Sequence, residues 1–130
     1  ALLGYNYLLS GKVIQSKQLG REIGFPTANI HINNERKLIP ADGVYAVKVN
    51  VDNNKYYGML NIGVKPTTEN NNHQIEVNIF DFSKQIYGQE IYVELVKRIR
   101  DEKKFKDLNA LQHQLKKDEN NCKKFFKILR

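Results

Sequence analysis

The sequence predicts a mainly β domain, an antiparallel sheet or small barrel with a helical C-terminal arm. Three observations carry this. Apolar and polar residues alternate at period two in several short runs before residue 100. Those runs are joined by short turns rather than by helical crossovers. After Asp107 the apolar spacing changes to a helical period.

The runs follow in chain order. Leu8–Ile14 is the first candidate strand. Gly43–Val51 alternates Val47, Val49 and Val51 with Lys48 and Asn50. Asp52–Lys55 reads as a hairpin turn, because Asn and Asp tolerate left-handed backbone, and Tyr56–Gly63 returns as its partner. Thr67–His73 is a polar loop. In Gln74–Phe82, Ile75, Val77 and Ile79 share one face, while Glu76, Asn78 and Phe80 share the other. Tyr87–Glu90 is a turn, and Ile91–Ile99 alternates again. From Asp107, a suitable N-cap, Leu108, Leu111, Leu115, Cys122, Phe125 and Leu129 recur near helical spacing, as one amphipathic helix or two short ones.

With 130 residues the chain suits one domain with a core of its own. A single cysteine, Cys122, allows no intrachain disulfide and fits a reducing, cytoplasmic compartment. No apolar run approaches the ~20 residues of a membrane-spanning helix. The start, ALLGYNYLLSG, has no basic leader pattern and no initiator methionine, so the chain is expected to be a fragment of something longer. The net charge of +7 is local. Residues 97–130 hold twelve Lys/Arg and five Asp/Glu, whereas residues 1–96 hold nine of each. A basic helical arm fits a solvated face or an anionic partner such as nucleic acid.

One stretch is unlike a core segment. GREIGFPTAN, residues 20–29, is rich in turn formers and ends in a hydroxyl and a carboxamide two residues apart. Gly20 and Gly24 permit tight backbone turns that present N–H groups to an anion, and Arg21 adds a fork of donors suited to phosphate. In an extended segment Thr27 and Asn29 project from one face; both are neutral oxygen ligands suited to magnesium. The same residues also fit a plain surface loop. Glu76, on the polar face of its strand, reads either as a solvated carboxylate or as a general base for a substrate hydroxyl. His31, His73 and His113 have no metal-ligand spacing among themselves or with Cys122, so no zinc site is expected.

Four segments in order, GREIGFPTAN, GMLNIGVKPT (58–67), IEVNIFDFSKQIYG (75–88) and IRDEKKF (99–105), give the chain a resemblance to riboflavin kinases from Leu8 to Phe126. The resemblance implies a six-stranded antiparallel Greek-key barrel with a C-terminal helix, residues 107–129 forming that arm. It implies an ATP- and magnesium-dependent kinase that converts riboflavin to FMN. Carried over by position, Thr27 and Asn29 are the magnesium ligands and Glu76 is the catalytic carboxylate. Ser16, Gly20 and Arg21 belong to the ATP-phosphate loop, with Ser16 standing where bacterial relatives often carry glycine. Ile79 and Tyr87 line the nucleotide site, and Arg100 and Phe105 contact the flavin. The segments 15–28 and 100–106 are expected to close over the substrates. Residues 1–7 are similar to the junction after an N-terminal FMN adenylyltransferase domain in bifunctional FAD synthetases. Two rivals follow from the residues: a flavin-binding module without turnover, and a nucleic-acid-binding barrel in which Tyr56, Tyr57 and Phe80 stand in a row on a sheet face.

Overall fold

The computed structural model describes residues 7–17, 27–32, 40–64, 73–82 and 86–127. The strands are β1 (Tyr7–Lys17), β2 (Thr27–Ile32), β3 (Gly43–Val51), β4 (Asn54–Val64), β5 (His73–Ile79) and β6 (Glu90–Arg100), followed by one helix, α1 (Leu108–Phe126). They close into a barrel in the order β1-β2-β5-β4-β3-β6, with every neighbouring pair antiparallel. The six-stranded antiparallel barrel with a C-terminal helix is therefore present.

Strand parity builds two apolar layers. Inward residues such as Leu9, Val47, Leu60, Ile62, Val77, Ile91 and Leu95 fill the barrel. Fully burying each such side chain contributes about 1.5–3 kcal/mol. On the outer wall Val44, Ala46, Met59 and Phe80 form a second patch, and α1 covers it with Cys122, Leu115 and Phe126. The Oδ1 of Asp107 accepts a hydrogen bond from the Ala110 N–H at 2.8 Å. Lys127, at φ 62°, ends the helix in the left-handed conformation.

Most strand expectations hold, with shifted ends. β1 and β6 run longer than read, and β1 contains a register shift between Val13 and Gln15. β5 stops at Ile79, because Phe80 and Asp81 enter a turn in which Asp81 has φ 54°. The β3–β4 turn is Asp52-Asn53, both at positive φ, which is the twist a two-residue hairpin demands. β2, which begins at the end of the 20–29 stretch, goes beyond the strands expected from the sequence, although Ala28, Ile30 and Ile32 alternate there with Asn29 and His31. The helical arm is one helix, and its apolar face was misread in part. Leu108 and Phe125 are exposed, whereas Asp118 and Cys122 are its buried residues. Tyr56, Tyr57 and Phe80 do not form an exposed row. Tyr56 packs against the barrel interior, Tyr57 stacks on Phe126, and Phe80 is buried under the helix. Leu129, Gly24 and nearly all of the 67–73 loop lie outside the described residues, as do residues 1–6 of the junction.

Candidate active site

Three polar residues from three strands stand side by side on the outer wall. Asn29 on β2 pairs with Glu76 on β5, and Glu76 pairs with Asn61 on β4. The row continues through Val44 on β3 to Arg100 on β6. Opposed residues on neighbouring strands place their side chains about 4.5–5.5 Å apart at Cβ. Glu76 thus lies between two carboxamides, just beside the patch that α1 covers.

The row is unusual in its hydrogen bonding. Asn29 is only 5% exposed. The Oδ1 atoms of Asn29 and Asn61 are both buried without a hydrogen-bond partner. A buried acceptor in that state costs about 1–3 kcal/mol, so the row favours a ligand or an ordered water that can supply a partner. Glu76 is half-buried and engaged with a neighbour. Gly63, two residues beyond Asn61 on the same face, leaves room that the Glu102 carboxylate fills. Desolvation there raises the Glu102 pKa, and the nearby Asp42 and Glu76 carboxylates push the same way. The Lys103 N–H and Arg100 oppose the rise.

Arg100 closes the far end of the row. Its Nε donates to both carboxylate oxygens of Asp118, at 2.9 and 3.0 Å, and its Nη2 donates to Oδ2 at 2.8 Å. Nη1 donates to the Asp101 carbonyl at 2.9 Å, and Gln114 donates to Asp118 at 2.9 Å. The pair is largely desolvated, with side chains 18% and 1% exposed. It therefore fixes the end of β6 to α1. The guanidinium also lies 5.8 Å from the Phe105 ring centroid, as does the Lys103 ammonium. Phe105 lines a groove of about 560 Å³ between the β6–α1 connection and the first half of α1, with Lys103, Lys104, Lys106, Ala110, His113, Gln114 and Lys117.

The fold thus brings Asn29 and Glu76 together, and sets Arg100 beside Phe105. Thr27 lies two residues before Asn29 in β2, at the position paired with Lys17. Ser16 is in β1, paired with Ala28. Ile79 packs against the barrel core. Tyr87 sits in the turn before β6, 69% exposed. Gly20 and Arg21 lie outside the described residues. Sequence reasoning missed Asn61, Glu102 and Asp118. Asn61 shares strand parity with Gly63 and Met59, but only the β4–β5 register sets it against Glu76.

A closed barrel with a carboxylate between two carboxamides whose oxygens lack partners, next to a cation-rimmed aromatic groove, defines a small β-barrel with a candidate small-ligand site on its outer wall. Known proteins sharpen that class: the riboflavin kinase family model, Flavokinase, matches residues 3–126, and the chain belongs to that family. It is 45% identical to the bifunctional riboflavin kinase/FMN adenylyltransferase of Bacillus subtilis (strain 168), over 99% of this chain and 42% of the relative. Among solved structures, one from Streptococcus pneumoniae described as a macrolide-efflux protein matches with TM-score 0.82 and 42% identity, over 92% of this chain and 39% of that one. The riboflavin kinase of Trypanosoma brucei matches with TM-score 0.68 and 23% identity, over 98% of this chain and 81% of that one, and shares its fold. The chain therefore spans about two-fifths of the length of the bacterial relatives it matches. No helix among the described residues is long and apolar enough to cross a membrane.

Proposed function

We propose that this domain transfers the terminal phosphoryl group of ATP to the terminal ribityl hydroxyl of riboflavin, giving FMN and ADP. The observation that carries the reading is Glu76 set between Asn29 and Asn61 with buried, unpartnered oxygens on either side. Glu76 orients the substrate hydroxyl and takes its proton as the oxygen attacks the γ-phosphorus. ADP leaves with the electron pair of the broken P–O bond. Phosphoryl transfer asks the protein chiefly for positioning and charge neutralisation.

Magnesium fits the residues present. The Asn29 Oδ1 is a hard, neutral oxygen, buried and lacking a partner, and Thr27, two residues before it in β2, carries a second neutral oxygen ligand. These two residues would hold the ion, which would neutralise charge on the phosphate oxygens. Ser16, Gly20 and Arg21 take the ATP phosphates, and Ile79 and Tyr87 line the nucleotide site, on the strength of the family likeness. Phe105 offers its ring to the flavin in the groove beside α1. Arg100 serves the flavin through Phe105, since most of its donors are bound to Asp118 and Asp101. The buried lone thiol supports a reducing, cytoplasmic setting. The names of the bifunctional relatives support an adenylyltransferase domain preceding this one in the same gene product.

The test is incubation of the purified domain with riboflavin, ATP and magnesium, with chromatography for FMN. Formation of FMN only when all three are present is the expected result. No FMN at any magnesium concentration overturns the reading.

A further inference from the structure

We infer that Asn61 is a substrate-positioning residue that accepts a hydrogen bond from the hydroxyl next to the one being phosphorylated; this rests on the kinase reading above. Asn61 stands directly across β4 and β5 from Glu76, on the same outward row as Asn29. Its Oδ1 is buried and has no partner. An ionised Glu76 carboxylate is itself an acceptor and cannot satisfy that oxygen. The Asn29 Oδ1 is another acceptor and cannot either. The Asn61 oxygen therefore finds no donor within the row, and the ligand is placed to bring one.

A polyol chain brings donors on adjacent carbons. Opposed side chains on neighbouring strands sit about 4.5–5.5 Å apart at Cβ, and an O–H···O bond spans about 2.7–2.8 Å. Two neighbouring hydroxyls can therefore bridge two such acceptors, the terminal one on Glu76 and the next on Asn61. This contact fixes the rotation of the terminal carbon, and so aims the attacking oxygen. It also discriminates, because a chain lacking the second hydroxyl leaves the Asn61 oxygen buried and unpaired.

The experiment compares riboflavin with an analogue whose side chain lacks the hydroxyl adjacent to the terminal one. Wild type, Asn61→Ala and Asn61→Ser are measured for kcat and for the KM of flavin and of ATP, with melting curves. Wild type is expected to lose roughly ten- to hundred-fold in kcat/KM on the analogue. Asn61→Ala is expected to lose a similar factor on riboflavin, with the KM for ATP unchanged and little further loss on the analogue. Asn61→Ser, which retains an acceptor, should recover part of the loss. The inference is overturned if wild type uses both flavins equally. It is also overturned if Asn61→Ala leaves riboflavin kinetics unchanged, multiplies the analogue's loss, or shifts the KM for ATP and the magnesium requirement instead. Should Asn61→Ala fail to fold, the wild-type comparison and Asn61→Ser still decide. A wild-type domain that makes no FMN overturns the kinase reading and the inference with it; a wild-type domain that makes FMN and ignores the missing hydroxyl overturns the inference alone.

Discussion

Asn29 and Glu76 face one another across the β2–β5 ladder, and the Asn29 Oδ1 is buried without a partner. A metal-ligand candidate and a general-base candidate from distant parts of the chain are thus neighbours. Their division of labour can be tested residue by residue.

Glu76→Gln nearly preserves shape, but it exchanges one acceptor oxygen for an amide donor and cannot take a proton. Its kcat should fall by roughly 10²–10⁴-fold, with riboflavin and ATP affinities changed little. The fold should persist, because Glu76 faces outward between the inward Ile75 and Val77. Steady-state kinetics with ligand titration checks this; near-normal kcat returns Glu76 to the status of a surface carboxylate.

Asn29→Ala should raise the magnesium concentration required for half-maximal rate, and Thr27→Ala should do the same. Rates measured against magnesium at saturating riboflavin decide the point. Wild-type magnesium dependence in both variants would remove them from the metal site.

Asp118→Ala leaves the Arg100 guanidinium desolvated and uncompensated. Breaking such a pair costs about 3–5 kcal/mol, to be read by denaturant unfolding. The paired replacement Arg100→Met with Asp118→Leu should recover most of that loss. If Asp118→Ala is as stable as wild type, the pair does not anchor α1 to β6.

Glu102 gives a pH dependence of defined sign. Desolvation against Gly63 raises its folded pKa, so the folded state holds the proton more tightly than the unfolded chain does. This group therefore favours folding while protonated, and that advantage is lost as pH rises through the raised value. Glu102→Gln should raise Tm at neutral pH, and the gain should vanish below about pH 4, where the carboxyl is protonated in both states. A Tm difference that does not vary with pH would contradict the assignment.

Burial pushes the Cys122 thiol up to about 12, with Asp118 and Glu119 adding to the shift. The thiolate is the reactive form, so a thiol reagent at neutral pH should label Cys122 only after denaturation. Rapid labelling of the native protein would show that α1 opens readily from the barrel.

The sequence by itself determined the β class, the inward residues of β3 and β5, a hairpin turn within Asp52–Lys55 and the Asp107 cap. These are local properties: alternation, turn chemistry and capping act over a few residues and leave their pattern in the chain. It also brought Thr27, Asn29 and Glu76 forward as candidates, through residue chemistry and a family likeness. Only the tertiary structure decided what lies beside them. Barrel closure sets β2 next to β5 and β5 next to β4, and that register alone aligns Asn29, Glu76 and Asn61. The buried face of α1 was hidden for a related reason. Asp118 reads as a polar surface residue until Arg100, brought from β6, makes its burial affordable. Pairing between strands and compensation of a buried charge depend on partners distant in the chain, and no local pattern encodes them.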